Sequence, residues 1–215
     1  MVKYKDNYNV ILALPKGRIL KELVPILLNA DIQPEEAFFD SSSRKLMFDT
    51  KEDNVKIITV RSFDVVNFVA FGGAHIGVVG QDVISEFNYK DIYAPVDLGI
   101  GVCRMSVAEL TDKKNKVEYS SLSHIKVATK YLEITKRHFA LKGVQAECIK
   151  LNGSLELAPK LSICDRIVDL VSTGNTLKAN GLKEVEKIID VSSKLIVNRI
   201  SSKVLPDKIE RIISK

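Results

Sequence analysis

The sequence predicts an α/β protein of two lobes, each on a mainly parallel sheet, around a central cleft. Three observations carry that expectation. Compact β-branched runs alternate with helical stripes along the 215-residue chain, as in βαβ units. The corners that follow the runs are rich in Gly, hydroxyls or cations, the residues that line the carboxyl edge of an open α/β sheet. Two segments, near residues 99–103 and 181–190, read as crossings, which divides the chain into residues 1–100 plus 183–215 and residues 101–182.

The first strand is Asn9 to Leu14, stopped by Pro15, Lys16 and Gly17. From Arg18 to Leu28 an apolar stripe predicts a helix interrupted by Pro25, so the Lys16-Gly17-Arg18 corner falls between a strand and a helix. Acidic and Ser-rich residues 34–43 read as a loop, and Arg44 to Phe48 as the start of a short strand. Val55 to Val60 is a strand run followed by Arg61-Ser62-Phe63-Asp64 and a helix to Phe71, which Gly72-Gly73 ends. Ile76 to Val79 is a short buried strand, and Asp82 stands at the first turn of the next helix.

Gly99-Ile100-Gly101 divides two apolar pieces, and the polar stretch Thr111 to Ser123 is long enough for a mobile loop. A second α/β set follows: strand His124 to Thr129, helix Leu132 to Leu141, strand Gln145 to Lys150, helix Ser154 to Leu161 and strand Arg166 to Val171. That last strand runs into Ser172-Thr173-Gly174-Asn175-Thr176 before helix-compatible residues resume at Leu177. Gly174 lets successive N–H groups converge, Ser172, Thr173 and Thr176 add hydroxyl donors, and a helix start adds partial positive charge, so the turn suits a phosphate monoester. Asp169, just before it, is placed to accept hydrogen bonds from ribose hydroxyls. A polar βα turn with an N-cap is the plainer account of the same string. Strands through 185–197 and a terminal helix from Pro206 to Ile213 complete the pattern, with no internal repeat.

With 46% hydrophobic and 27% charged residues the chain reads as an ordinary globular protein able to bury a core. Thirty-two Lys and Arg against 27 Asp and Glu leave a net charge of +5, which favours anionic partners without naming one. Nucleic acid is not expected, because the densest basic run, Lys113 to Lys116, lacks interleaved aromatics. Cys103, Cys148 and Cys164 are odd in number, widely spaced and in apolar surroundings, so they read as reduced core residues. The N-terminus has no apolar signal core and no run approaches a membrane span, so a cytoplasmic location is expected.

Nine fragments in order carry a resemblance: ALPKGR (13–18), SRKL (43–46), VRSFDV (60–65), GVVGQDV (77–83), DLGIGVCR (97–104), IKVATKY (125–131), IKLNGSLELAP (149–159), DLVSTGNTLKANGL (169–182) and LIVNR (195–199). Together they resemble the catalytic subunit of the ATP phosphoribosyltransferase family, in the short form that ends soon after the last fragment. The resemblance implies transfer of phosphoribosyl from 5-phosphoribosyl 1-pyrophosphate (PRPP) to N1 of ATP, releasing pyrophosphate, as the first step of histidine biosynthesis. It implies magnesium (Mg2+) carried by the pyrophosphate, with no protein metal site. It also implies a homodimer within a hetero-oligomer that includes a regulatory subunit related to histidyl-tRNA synthetase.

The resemblance places roles on residues of this sequence. Asp169 holds the ribose hydroxyls, and Ser172, Thr173, Gly174, Asn175 and Thr176 hold the 5-phosphate. Glu156 matches an acid that faces the PRPP ribose; an exposed helix carboxylate is the plainer reading. Arg18 and Arg44 match arginines that reach the polyphosphates and are the catalytic candidates, a planar guanidinium being suited to a departing pyrophosphate. Lys16 and Arg61 join the ATP and pyrophosphate group, although either can instead hold a loop, and Arg61 can pair with Asp64. Asn152, His75 and Gln81 depart from the family pattern and are given no role.

Two other functions compete. Two α/β lobes around a cleft also describe a periplasmic-binding-protein-like (type II) solute or anion binder, and fold alone does not separate the two. A phosphoribosyltransferase for another base is the other, but such enzymes carry two adjacent acids before the phosphate loop, whereas Val168 precedes Asp169 here.

Overall fold

Eleven strands and eight α-helices alternate through the computed structural model, which describes residues 9–40, 42–111 and 124–215. The polar stretch read as a mobile loop and the Lys113 to Lys116 run lie outside the described residues, apart from Thr111. The chain divides into two compact units. The first holds the described residues up to Ile84, then Asn88–Gly101 and Ser192–Lys215; the second holds Ser85–Phe87 and the described part of Val102–Val191.

The first unit begins with β1 (Val10–Pro15) and α1 (Arg18–Asn29), followed by β2 (Met47–Asp49), β3 (Val55–Val60), α2 (Ser62–Ala70), β4 (Ile76–Gly80), the start of α3 (Gln81–Phe87), whose last three residues belong to the second unit, and β5 (Ile92–Asp97). The chain returns to it at β11 (Ser193–Asn198), α7 (Arg199–Val204) and α8 (Pro206–Ile213). The sheet order is β2-β3-β1-β4-β11-β5. Helix α1 survives Pro25 because Lys21, whose carbonyl loses its partner there, is exposed together with Pro25, so water can serve that carbonyl. Its other face buries Leu23 and Leu27 against Leu12, Leu14, Ile209 and Ile212. Helix α2 lies so close to β4 that a Cβ at Gly77 would stand 2.8 Å from side-chain carbons of both Val65 and Val69. Asp82 is buried in the first turn of α3, where the sequence placed it.

The second unit comprises β6 (Cys103–Leu110), β7 (His124–Thr129), α4 (Leu132–Ala140), β8 (Gln145–Lys150), α5 (Leu157–Lys160), β9 (Arg166–Val171), α6 (Asn175–Ala179) and β10 (Leu182–Val191). Its sheet order is β10-β6-β9-β7-β8.

Three expectations need correction. The sheets are mixed: parallel pairing joins β3, β1 and β4 in one and β8, β7 and β9 in the other, while β2, β5, β6, β10 and β11 pair antiparallel. The return to the first unit comes at Ser192 instead of residue 183, because all of β10 is hydrogen-bonded to β6, Leu182 opposite Leu110 and Val191 opposite Cys103. The helix expected from Ser154 to Leu161 is only Leu157–Lys160; Ser154 sits at φ 53°, outside the helical region, and Ser162 at φ 57° follows its end. Helix α7, which the sequence reading missed, is capped by Asn198, whose Oδ1 accepts from the N–H of Ile200 and Ser201 at 3.0 and 2.8 Å.

Candidate active site

Parallel pairing in the first unit brings the predicted cations to one sheet edge. Pro15 is opposite Val60 in the β1–β3 ladder, and the Lys16 N–H donates to the Val60 carbonyl at 2.9 Å, so Lys16 and Arg61 leave adjacent strands side by side. Strand β2 runs antiparallel to β3, with Met47 opposite Ile58 and the Leu46 carbonyl accepting from Thr59 N–H at 3.0 Å. Arg44 precedes β2 by three residues and Arg61 follows β3 directly, so both lie beyond the same end of this antiparallel pair. Arg18 opens α1 two residues beyond Lys16. All four side chains are exposed.

These cations are loosely held. Arg18 Nε is 3.8 Å from Glu22 Oε1, both groups largely in solvent, and such a contact contributes little to stability. Glu22 also accepts from the Gly101 N–H at 2.7 Å, at the end of a first-unit segment. Among the described residues Arg44 and Arg61 make no ion pair, so the Arg61–Asp64 alternative does not form; the Arg61 carbonyl instead accepts from Asp64 N–H at 2.8 Å as α2 starts. They are charges available to an anionic ligand.

In the second unit the Ser172–Thr176 turn follows the carboxyl end of β9. Gly174 has φ 79°, a left-handed conformation that a Cβ disfavours, and it stands immediately before α6. Ser172, Thr173, Asn175 and Thr176 are exposed. Thr173 Oγ1 accepts from the Asn175 N–H at 3.4 Å, a long bond within the turn. Since α6 has only five residues, its dipole adds less than a full helix would, and the turn's own N–H groups and hydroxyls must supply most of the donor character. Asp169, half-buried on β9, accepts from the Leu170 N–H at 2.8 Å.

Glu156 immediately precedes α5 and is half-buried, so the fully exposed reading does not hold. Its neighbour Leu155 packs in one apolar cluster with Val171 and Leu177, which flank the phosphate-type turn, and with Ala158. That shared core carries the Glu156 segment to the side of the turn although 13 residues separate it from Asp169 in sequence.

One group was not singled out from sequence. Arg104 on β6 donates through Nε and Nη2 to both oxygens of Glu184 on β10, at 2.7 and 2.6 Å, and through Nη1 to the Ser172 carbonyl at 3.2 Å. Ser106, 1% exposed, donates to Glu184 Oε1 at 2.7 Å. Arg104 hydrogen bonding holds the Glu184 carboxyl below its ordinary 4.5, and the same bond raises the guanidinium. Arg104 and Ser106 share a face by strand alternation, the one signal in the sequence, but their acid lies 78 residues away from Ser106.

The residues without an assigned role are structural or solvent-facing. His75 Nδ1 accepts from the Ile11 N–H at 2.9 Å beside a β1–β4 contact, and burial lowers its pKa. Asn152 is exposed, and the Gln81 N–H donates to the Ser192 carbonyl at 2.9 Å. All three cysteines are free thiols, with Cys103 and Cys164 buried and Cys148 half-buried. No described helix is long and apolar enough to cross a membrane.

A family model described as HisG, ATP phosphoribosyltransferase, matches residues 61–215. The chain is 63% identical over 195 residues to the ATP phosphoribosyltransferase of Rhodospirillum rubrum, covering 91% of this chain and 86% of that one. A solved ATP phosphoribosyl transferase (HisG:HisZ) complex from Thermotoga maritima superposes with a TM-score of 0.79 at 29% identity, covering 95% of this chain and 97% of that one. The periplasmic aliphatic sulphonate binding protein SsuA of Escherichia coli gives 0.60 at 11% identity, over 96% and 70% of the two chains, a likeness of fold alone.

Proposed function

The chain belongs to the ATP phosphoribosyltransferase family, and from that premise we propose that its Ser172–Thr176 turn holds the 5-phosphate of PRPP. Its activity is that of the family, transfer of phosphoribosyl from PRPP to ATP at the opening of histidine biosynthesis; the solute-binding reading is not favoured. The observation that carries the assignment is the turn itself: a left-handed Gly174 among exposed hydroxyls at a strand's carboxyl end, preceded by the carboxylate of Asp169.

In this reading Asp169 and Glu156 accept hydrogen bonds from the ribose hydroxyls. Arg18 and Arg44 stabilise the pyrophosphate as it leaves, and Lys16 and Arg61 add charge for the ATP and pyrophosphate oxygens. Adenine N1 already carries an unprotonated lone pair near neutral pH. It forms the new bond to ribose C1 as the C1–O bond to pyrophosphate breaks, inverting that carbon. No strong base is needed, so the chain contributes orientation and charge stabilisation.

Magnesium arrives with the pyrophosphate. This cation keeps waters and substrate phosphate oxygens in preference to a protein cage. A donor set of hydroxyls and cations with two carboxylates nearby, Asp169 and Glu156, fits a metal brought by the substrate. When bound, it neutralises charge on the departing pyrophosphate. We propose further that the chain works as a homodimer within a larger assembly containing a separate regulatory subunit; the likeness to the Thermotoga maritima HisG:HisZ complex supports the regulatory partner.

The direct test mixes the purified chain with PRPP, ATP and magnesium and follows the phosphoribosyl-ATP adduct by absorbance, with and without a candidate regulatory subunit. Adduct formation that the partner accelerates is expected. No adduct under either condition would overturn the assignment of substrates to this chain.

A further inference from the structure

Resting on the reading of Ser172–Thr176 as the sugar-phosphate cradle, we propose that Arg104 is the positioning residue that sets the start of that turn, with Glu184 and Ser106 acting through it. The argument begins with the peptide that joins Ser172 to Thr173. In a trans peptide the carbonyl and the following N–H point in opposite directions. Arg104 Nη1 holds the Ser172 carbonyl at 3.2 Å, and this turns the Thr173 N–H to the opposite side of the peptide. A cradle made of backbone donors depends on that orientation.

Arg104 can hold the carbonyl in one place because its guanidinium is itself fixed. Its planar fork engages both Glu184 oxygens, at 2.7 and 2.6 Å, in the bidentate geometry that gives such pairs directional strength. Glu184 is in turn held by the buried Ser106 hydroxyl at 2.7 Å. The network therefore ties β6 and β10 to the end of β9 at the residue where the turn begins. Arg104, Glu184, Thr173 and Gly174 line one cavity of about 390 Å³.

The carboxylate largely offsets the Arg104 charge, which separates this role from that of a phosphate ligand. If Arg104 attracted the phosphate by charge, removing the neighbouring negative charge would strengthen PRPP binding. If it orients the peptide, the same change loosens the fork and weakens binding. The two roles predict opposite signs.

The test uses the full chain and measures PRPP and ATP affinities by calorimetry with magnesium present. Arg104→Lys keeps the charge but loses the fork and should weaken PRPP roughly tenfold, the scale of one charge-assisted hydrogen bond, with ATP affinity unchanged. Glu184→Gln should also weaken PRPP, and in steady state both variants should raise KM for PRPP far more than they lower kcat. Unchanged PRPP affinity in either folded variant, or tighter binding in Glu184→Gln, overturns the proposal. Should thermal denaturation show the Arg104 variant unfolded, Ser106→Ala decides: a loss of about twofold or more, as for one weakened hydrogen bond, supports the proposal, and no loss overturns it. Thr176→Val run in parallel separates the two levels. If it binds PRPP like the parent chain, the cradle reading fails; if it binds weakly while Glu184→Gln does not, only the Arg104 inference fails.

Discussion

The candidate sites of the two units would present charge to a ligand in opposite ways. In the first, Lys16, Arg18, Arg44 and Arg61 gather at a sheet edge as exposed side chains, and the closest ion pair among them is Arg18 with Glu22 at 3.8 Å. In the second, the donors are short hydroxyls and backbone N–H groups on a turn whose start is hydrogen-bonded to a paired arginine. Long cationic side chains retain rotamer freedom until a ligand orders them, whereas a pinned backbone has already lost that entropy on folding. Loosely held charges suit a group whose charge changes during reaction, as a departing pyrophosphate does. A pinned turn suits the 5-phosphate, which does not react.

The largest expected effect tests the first half of that contrast. Arg44→Ala should lower kcat by roughly 100- to 1,000-fold, the scale for removing one preorganised charge stabiliser, with PRPP affinity changing far less. Single-turnover rates read this, and an unchanged rate under chemistry-limited conditions would remove Arg44 from catalysis. Next, Thr176→Val should weaken PRPP binding by roughly 1.5–3 kcal/mol through loss of a charge-assisted hydrogen bond, with little change in single-turnover rate at saturation. A rate loss as large as that of Arg44→Ala would break the division of labour.

A smaller effect sharpens the claim that backbone shape is what the turn contributes. A Cβ at Gly174 would meet nothing nearer than Val171 Cγ1 at 3.9 Å, so Gly174→Ala introduces φ strain without a clash. It should cost about 1–2 kcal/mol, read as a lower Tm that PRPP restores poorly. The smallest concerns pH. Glu184 titrates below its ordinary 4.5 because Arg104 bonds its charged form. The unfolded chain therefore takes up that proton first as pH falls, so the contribution is full above the ordinary value and is lost as pH drops through the lowered one. Acid denaturation of Arg104→Met should show a smaller loss of stability over that window than the parent chain; an identical loss would mean that the pair does not carry it.

Much of the candidate site was legible because its members sit at local junctions. Lys16, Gly17 and Arg18 follow a strand and open a helix, and the Ser172–Thr176 string lies between β9 and α6, so period and turn chemistry located both. Glu156 was reachable only through the family resemblance, since the helix that marked it proved to be four residues long. Arg104 is not legible in its own fragment, because its meaning depends on Glu184, 80 residues further along.

The sequence by itself determined where most strands and helices lie, which corners are candidates for chemistry and which family the motifs resemble. Those are properties of short windows, set by side-chain period, Gly and Pro backbone limits and hydroxyl placement. The tertiary structure alone decided that β10 stays with β6, that the sheets are mixed, that β2 runs antiparallel beside β3, and that an arginine paired with a glutamate is hydrogen-bonded to the start of the Ser172–Thr176 turn. Each of these is a pairing between residues distant in the chain, and such partners are selected by register and burial across the whole sheet, which no local string encodes.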